Sequence, residues 1–313
     1  MATVFGIRRR RSWEIPESQA TPEALFWNRR EFIASLGLAG LSIAAPSLAE
    51  DAAPPIYPAR RNPRFVLDRP LTDERVAATT NNFYEFSEHK DRVWTLVERW
   101  RPRPWRIQIT GLVERPRAID ADDLIRALPV EERLYRHRCV EAWATAVPWT
   151  GIPMRDFVKW ARPNSGARYV RMVSFQRPEE APNQPPPTWY PWPYYEGLTL
   201  REAVNELALL AVGIYGHELP GQHGAPIRLV VPWKYGFKGI KGIVRFEFLA
   251  ARPPTFWNDL VPAEYDFSAN VDPAVPHRRW SQASEVMIGT GERRPTLPFN
   301  GYGEWVAGMY RKA

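Results

Sequence analysis

The chain combines segments in which hydrophobicity alternates every second residue with shorter segments of helical period. Residues 105–113, WRIQITGLV, alternate polar and apolar side chains, which predicts a β-strand. Residues 119–128, IDADDLIRAL, predict a short helix with Asp120 or Asp122 as its N-cap. By the same reasoning we predict helices at 151–161 and 198–207, strands at 167–175 and 208–216, two strands within 225–250, and an edge strand at 304–310.

Strands are in the majority in this pattern, and strand and helix do not alternate regularly, so a doubly wound sheet is not expected. The sequence predicts an α+β, strand-rich fold. Residues 50–80 are rich in proline and charge and predict an extended N-terminal arm, which leaves 81–313 as a single domain. The proline- and aromatic-rich segment 177–197 predicts a long loop, whose tryptophans and tyrosines serve either binding or the core.

The first 49 residues have the features of an export signal. Arg29 and Arg30 precede a weakly apolar run from Phe32 to Ala45, and Ser47 and Ala49 form an A-x-A-like cleavage site. The run is shorter than the roughly 20 residues that span a bilayer. A cleaved twin-arginine signal is therefore predicted, with an anchor or amphipathic helix as the alternative. This route exports folded proteins, often with a cofactor already inserted, and implies a periplasmic location.

Net charge adds little to the functional assignment. The formal charge is +7 at pH 7, but the basic residues are spread along the chain without a Lys/Arg tract. We therefore expect a solvated basic surface and no nucleic-acid partner.

Cys139 is the only cysteine of the 313 residues, so no internal disulfide is possible. It is a buried inert thiol, a reactive thiol or a metal ligand. If residues 135–142 are extended, His137 and Glu141 share its face, and the basic residues just before it should lower its pKa. The spacing of the five histidines does not fit a zinc site. A thiolate that binds a metal already carried by an organic cofactor agrees with both the sequence and the export signal.

The segment 232–242, PWKYGFKGIKG, is a candidate anion site. Its glycines would let backbone amides approach a phosphate, and Lys234, Lys238 and Lys241 would neutralise the charge. The alternative is a Gly-rich hairpin with solvated lysines. Upstream, His223 and Arg228 are further possible contacts, although an arginine in a strand is more often on the surface. Residues 80–86, TNNFYEF, offer Asn81 or Asn82 as hydrogen-bond donors, or form an ordinary Asx turn.

The segments NNFYEF, RCVEAWATAVPWTGIP, VPWKYGFKGIKGI and FNGY, in this order, resemble the catalytic subunits of periplasmic molybdopterin-dependent protein-methionine-sulfoxide reductases. The resemblance covers the chain from about residue 70 onward and includes the leader. It implies a sulfite-oxidase-type fold in which residues 81–313 form a molybdopterin-binding catalytic domain with one Mo-molybdopterin. The implied reaction is oxygen-atom transfer that reduces methionine sulfoxide, free or in oxidised periplasmic proteins. A haem-containing membrane subunit would supply electrons from the quinone pool.

The resemblance also implies residue roles. Cys139 would be the protein ligand to molybdenum, and Asn82, Glu141 and Tyr265 would line the open cavity beside the metal and take part in catalysis. The pterin contacts would be Asn81, Tyr84, Glu85, Ser174, His223, Arg228, Gly239, Ile240 and Lys241. Ser174 and His223 depart from the threonine and asparagine that are familiar at these positions, but both can still form hydrogen bonds.

Two other functions are consistent with parts of the sequence. A sulfite dehydrogenase of the same fold would need clustered arginines for its dianionic substrate. Sulfite oxidases also carry a further β-sandwich of about 100 residues, and too few residues follow Ala250 for such a domain, which favours a monomer. A non-catalytic periplasmic protein could use the tryptophan-rich loop to bind sugars or peptides.

Overall fold

The structure is a computed structural model, and it describes residues 56–186 and 188–310. The predicted signal peptide at 1–49 and the start of the arm lie outside the described residues. The helices are α1 (Glu74–Thr79), α2 (Val93–Leu96), α3 (Ala121–Ala127), α4 (Met154–Ala161), α5 (Leu200–Ala203), α6 (Phe256–Leu260) and α7 (Gly303–Val306). None of the helices within these two ranges is long and apolar enough to cross a membrane.

Two sheets contain the strands of the described chain. The first has the order β2-β1-β10-β5-β6, with strands at Arg117–Asp120, Arg106–Gly111, Ile243–Leu249, Tyr169–Ser174 and Tyr195–Thr199. The second has the order β12-β11-β4-β7-β8, with strands at Arg293–Pro295, Ser284–Met287, Trp143–Pro153, Leu209–Ile214 and His217–Glu218. In addition, β3 (Glu131–Arg138) pairs with β4, and β9 (Arg228–Val230) pairs with β7. The predicted α+β, strand-rich class is confirmed.

The longest strand, β4, is the central strand of the second sheet. Ten of its eleven residues are buried, and it pairs with β3, β7 and β11. The six residues of β7 are all buried as well, as the apolar run at 208–216 predicted. A strand buried on both faces has a continuous apolar sequence instead of an alternating one. The loop that carries Cys139 is anchored at both ends by this sheet, because it joins β3 to β4.

Local sequence signals set several boundaries. Asp120 accepts a hydrogen bond from the backbone amide of Asp122 and is the N-cap of α3, as predicted. Thr199 and Glu202 form a reciprocal capping box that starts α5, but the helix ends at Ala203 and is shorter than predicted. The predicted helix at 151–161 begins only at Met154, because residues 151–153 extend β4 and pair with β7.

Two predictions of extended structure were wrong. Residues 304–310 form α7 and a following 3-10 turn, with the amides of Trp305 and Tyr310 bonded to carbonyls three residues earlier. Because these backbone amides are bonded locally, they are not available to pair with a neighbouring strand. The predicted extended arm is also interrupted, by α1, where Asp73 caps the helix by accepting from the amide of Val76.

Buried ion pairs hold the turn between β9 and β10 to its surroundings. Lys238 Nζ lies 2.9 Å from Glu196 Oε2, and both side chains are almost completely buried. Lys234 Nζ lies 2.5 Å from Glu202 Oε1 in a similar environment. The predicted role of these two lysines in neutralising a phosphate was wrong, because each already has a carboxylate partner in the core.

Replacing Glu196 with alanine should therefore destabilise the fold strongly. Lys238 would keep its buried charge without a partner, which typically costs about 3–5 kcal/mol. Urea unfolding measures the change, with Arg126→Ala as the control, since Arg126 and Asp123 form an exposed pair whose loss should cost less than about 0.5 kcal/mol. Equal unfolding midpoints for the two variants would contradict the importance of the buried pair.

Candidate active site

Cys139 lies in the turn that joins β3 to β4. Its backbone amide donates to the carbonyl of Trp143 over 2.9 Å, and the amide of Ala142 donates back to Cys139 O over 3.1 Å. Ala142 adopts a left-handed conformation with φ of 66°, which turns the chain into β4. The turn is held from outside by Gln282, whose side chain donates to Val140 O over 2.6 Å, and by Arg138, which donates to Cys139 O.

The predicted extended conformation of residues 135–142 was wrong beyond Arg138, where β3 ends. The reversal at Cys139 replaces strand alternation, yet it still brings Glu141 to the pocket that Cys139 faces. Two donors approach the sulfur: Asn82 Nδ2 at 3.4 Å and the backbone amide of Glu141 at 3.5 Å. Donors directed at sulfur stabilise a thiolate or a metal-bound thiolate more than a neutral thiol.

The expectation that neighbouring basic residues lower the thiol pKa was also wrong. Burial raises the pKa of Cys139 to about 12, and the carboxylate of Glu141 adds to the effect, while Lys90 and Arg138 oppose it only partly. Arg138 is engaged by Glu285, and Arg136 is bonded to Asp68. A thiolate at this position consequently needs a further positive charge directly beside it, which a metal ion supplies.

The inner pocket is the cleft beside the Cys139 sulfur, with a volume of about 540 Å³ including its open part. It gathers most of the residues that the sequence predicted as catalytic or cofactor-binding. They come from the turn after α1, the β3–β4 turn, the β9–β10 connection and the segment after α6. The predicted residues that line it are Asn82, Tyr84, Glu85, Cys139, Glu141, Gly239, Ile240, Lys241 and Tyr265.

A second pocket of about 520 Å³ shares Asn82, Gly236 and Lys241 with the inner pocket. We call it the cationic pocket. It brings together three further predicted pterin contacts, Asn81, His223 and Arg228.

Ser174 lines neither pocket: its hydroxyl donates to Lys241 O over 2.7 Å, and it lies 3.3 Å from Glu85 Oε1. Ser174 therefore positions the Lys241 backbone and is not placed to touch a ligand directly.

The electrostatics of the cationic pocket favour an anion. Arg228 is buried and donates only to carbonyl oxygens, including His223 O at 3.1 Å, and no carboxylate pairs with it among the described residues. Burial alone lowers its pKa to about 10. Burial, followed by repulsion from Arg228, also lowers the pKa of Lys241, against the opposing effect of Glu85. Burial and these two cations lower the pKa of His137 and His223 to about 3, so both rings are neutral at pH 7.

Close backbone approach in this region requires glycine at two positions. A Cβ on Gly236 would lie 2.5 Å from the His137 ring, and one on Gly239 would lie 2.9 Å from Arg228 Nη2. In addition, the buried Asn81 Oδ1 has no hydrogen-bond partner within the described structure. An acceptor without a donor, next to uncompensated cations, indicates a polar, anionic ligand with its own hydrogen-bond donors.

Comparison with known proteins identifies this ligand. Residues 94–257 match the family model described as the oxidoreductase molybdopterin binding domain. The chain is also 44% identical over 311 residues to the protein-methionine-sulfoxide reductase catalytic subunit MsrP of Burkholderia mallei, covering 95% of this chain and 93% of that protein. The chain belongs to this family of molybdopterin-binding reductases. The predictions of an oxidoreductase and of a molybdopterin-binding fold are therefore confirmed.

Among solved structures, the chain is similar to the sulfane dehydrogenase SoxCD of Paracoccus pantotrophus. The sequence identity is 14% and the TM-score is 0.43. The similarity covers 82% of this chain and 63% of that one.

The residues fit a molybdopterin. Arg228, Lys241 and the glycine-bearing turn would hold its phosphate, and Asn81 Oδ1 would accept from the pterin ring. Cys139 offers a soft thiolate at the edge of the inner pocket, where it could ligate the metal. Sequence reasoning did not assign His137, Tyr194 or Trp257 to this site, although all three line the two pockets. Only His137 carried a signal, its position two residues before the single cysteine.

Replacing Arg228 with glutamine should weaken cofactor retention. The variant keeps a donor but loses the buried charge that an anion would neutralise, an effect of about 2–5 kcal/mol in comparable buried contacts. We expect the fluorescence of released pterin to appear faster on mild heating, and the purified variant to contain less molybdenum. The matched control is Arg117→Gln, because Arg117 stacks on Trp160 at the surface. Identical release from both variants would exclude Arg228 as an anion contact.

Proposed function

We propose that the chain reduces methionine sulfoxide to methionine, as the free amino acid and in oxidised periplasmic proteins. The reaction uses one Mo-molybdopterin per chain. The observation that carries the proposal is the position of the single cysteine. Cys139 lines an open pocket with aromatic side chains, and this pocket shares Asn82, Gly236 and Lys241 with a cationic pocket suited to the pterin phosphate. The relative from Burkholderia mallei, named as a protein-methionine-sulfoxide reductase, supports the same substrate.

The overall reaction consumes two electrons and two protons, and the sulfoxide oxygen leaves as water. The cofactor, when bound, supplies the two-electron redox centre for oxygen-atom transfer. The protein supplies the surroundings: Tyr84, Trp257 and Tyr265 form apolar walls for the thioether part of the substrate. Methionine sulfoxide is neutral, polar at one point and flexible elsewhere, which suits a pocket with few charges and aromatic walls.

Two side chains are placed to act on the oxygen and its protons. Asn82 lies 3.4 Å from the Cys139 sulfur, and its amide can donate to an oxygen beside the metal. Glu141 lines the same pocket and forms an ion pair with Lys90, which is partly exposed to solvent. The Glu141 carboxylate can therefore hold water or a proton at its oxygens between the solvent and the sulfoxide.

The inner pocket disfavours sulfite as the substrate. Sulfite is a dianion at neutral to alkaline pH and would need several cationic side chains close to the metal. Lys241 is the only cationic residue that lines the inner pocket, and two carboxylates, Glu85 and Glu141, lie around it. A dianion would be repelled by Glu141, whereas a neutral sulfoxide would not.

We further propose that the enzyme is exported folded through its twin-arginine leader and works in the periplasm. A haem-containing membrane subunit would return electrons from the quinone pool. The relative from Burkholderia mallei is named as a catalytic subunit, which supports the existence of a partner. The paired arginines and the weakly apolar run at 29–45 support the export route.

The activity is tested by anaerobic oxidation of a reduced viologen dye by the molybdenum-loaded protein. Dye oxidation should require methionine sulfoxide and should fall at least about 100-fold in Cys139→Ser, since loss of a metal's second shell alone often costs 10–100-fold. If fully loaded protein reduces no sulfoxide, the substrate proposal is wrong, and sulfite oxidation is the next assay. Turnover that persists in Cys139→Ser would exclude the cysteine as the metal ligand.

Replacing Glu141 with glutamine tests its role in handling protons. The amide has nearly the same shape but cannot hold a proton or pair with Lys90, so kcat should fall about 100-fold or more while the molybdenum content stays unchanged. Glu179→Gln, on the exposed surface of the loop 177–197, is the matched control and should keep the parent kcat. A kcat equal to that of the parent would remove Glu141 from the mechanism.

A further inference from the structure

A third cavity continues the inner pocket towards the solvent, and we call it the outer cleft. It shares Tyr84, Glu141, Trp257 and Tyr265 with the inner pocket and has a volume of about 930 Å³ including its open part. Its remaining walls come from the loop 177–197 and from the segment before β11. Glu88, from the segment between α1 and α2, also lines the outer cleft, together with Trp189, Tyr190, Glu264, Arg279 and Trp280.

The outer cleft is lined by aromatic rings on both sides. Trp189 stacks on Tyr190 with 4.2 Å between ring centroids, and Tyr190 packs edge-on against Tyr84 at 6.1 Å. Trp189 is 66% exposed although it is large and apolar. An aromatic side chain that the protein leaves exposed at the entrance of a cavity commonly contacts a ligand.

Carboxylates accompany these rings, and one of them has no cationic partner. Glu264 pairs with Arg279 at 2.9 Å, and Glu141 pairs with Lys90. Glu88 accepts a hydrogen bond from Tyr190 Oη over 2.7 Å, but no lysine, arginine or histidine pairs with it among the described residues. The outer cleft thus keeps a negative charge next to exposed aromatic faces, although the whole chain carries a formal charge of +7.

We propose that the outer cleft is a subsite for a lysine or arginine side chain located near the methionine sulfoxide in a polypeptide substrate. The methionine sulfoxide would enter the inner pocket, and the neighbouring basic side chain would lie against the exposed ring of Trp189 with its charge facing Glu88. Aromatic faces attract cations, and a carboxylate at the same place adds a charge-assisted hydrogen bond. The subsite rests on the proposed function, and it adds a sequence preference among oxidised proteins.

The geometry restricts which substrates gain from the subsite. The two cavities meet at Tyr84, Glu141, Trp257 and Tyr265, so one polypeptide can fill both at once. Free methionine sulfoxide fills only the inner pocket and gains nothing from Glu88. The preference should therefore appear in kcat/KM for peptides. We expect a peptide with lysine to have a kcat/KM about tenfold higher than one with a neutral residue, because a partly desolvated cation–π contact contributes about one factor of ten.

The experiment uses the molybdenum-loaded enzyme and peptides that are identical except at one position. Each peptide contains one methionine sulfoxide, with lysine, glutamine or glutamate placed one or two residues before or after it. Dye oxidation gives kcat/KM for every peptide. We expect lysine to be favoured over glutamine, and glutamine over glutamate, on at least one side of the sulfoxide. The preference should weaken as salt rises to about 0.5 M, where charges more than a few ångströms apart are screened.

Two variants assign the preference to the outer cleft. In Glu88→Gln, the ratio of kcat/KM between the lysine and glutamate peptides should fall towards one, and Trp189→Ala should reduce the same ratio. The matched controls are Glu179→Gln and Trp94→Ala, since both residues are exposed and neither lines the outer cleft. Both controls should keep the parent ratio. A ratio, unlike a rate, is not changed by a variant that is merely less stable or less fully loaded.

Binding measured without turnover separates the subsite from the proposed function. Methionine sulfone peptides cannot be reduced in this way, and fluorescence anisotropy of labelled versions gives their Kd. If the lysine peptide binds with the lowest Kd and this preference depends on Glu88, the subsite is supported even if no sulfoxide is reduced. In that case the proposed function alone fails. Equal kcat/KM and equal Kd for the three peptides, or a preference that Glu88→Gln leaves intact, would overturn the subsite.

Discussion

The structure depends on a buried positive charge that the protein itself does not neutralise. Arg228 is buried next to Lys241, and its hydrogen bonds go to carbonyl oxygens. Removing a guanidinium from water without a counter-ion is costly, and the two neighbouring histidines respond by remaining neutral. A phosphate would balance this charge and would also provide contacts for the glycine-rich turn. A bound cofactor would consequently stabilise the protein as well as supply its redox chemistry.

The second constraint is the position of the Cys139 sulfur. Its turn is anchored through Arg138, which contacts the carbonyl of Cys139 and lies 3.3 Å from Glu285. Glu285 also pairs with Arg69 at 2.7 Å, which connects the N-terminal arm to the same network. The arm, β3 and β11 therefore hold one turn in common. A metal ligand needs this kind of support from its neighbours, because small displacements of the ligand change the geometry at the metal.

Much of this arrangement could be predicted from the sequence, and the limits have physical causes. Strand alternation identified β1 and β5, and the aspartate cap identified α3, because these signals are local. The exact turn at Cys139 was not predictable, since it depends on contacts with distant residues: Gln282 donates to Val140 O, and Glu285 pairs with Arg138. The residues that the resemblance implied line the two pockets, apart from Ser174, which donates to Lys241 O; their roles stay predictions.

The three lysines of segment 232–242 show why composition alone could not distinguish core from site. Each follows a similar local pattern, but Lys234 and Lys238 meet Glu202 and Glu196 in the core, and only Lys241 reaches the pockets. The two core pairs have a functional consequence, because they fix the chain on both sides of Gly236 and immediately before Gly239. A rigid turn keeps the backbone amides oriented before the anion binds, so less ordering is required on binding. The buried lysines thus contribute to cofactor binding without touching the cofactor.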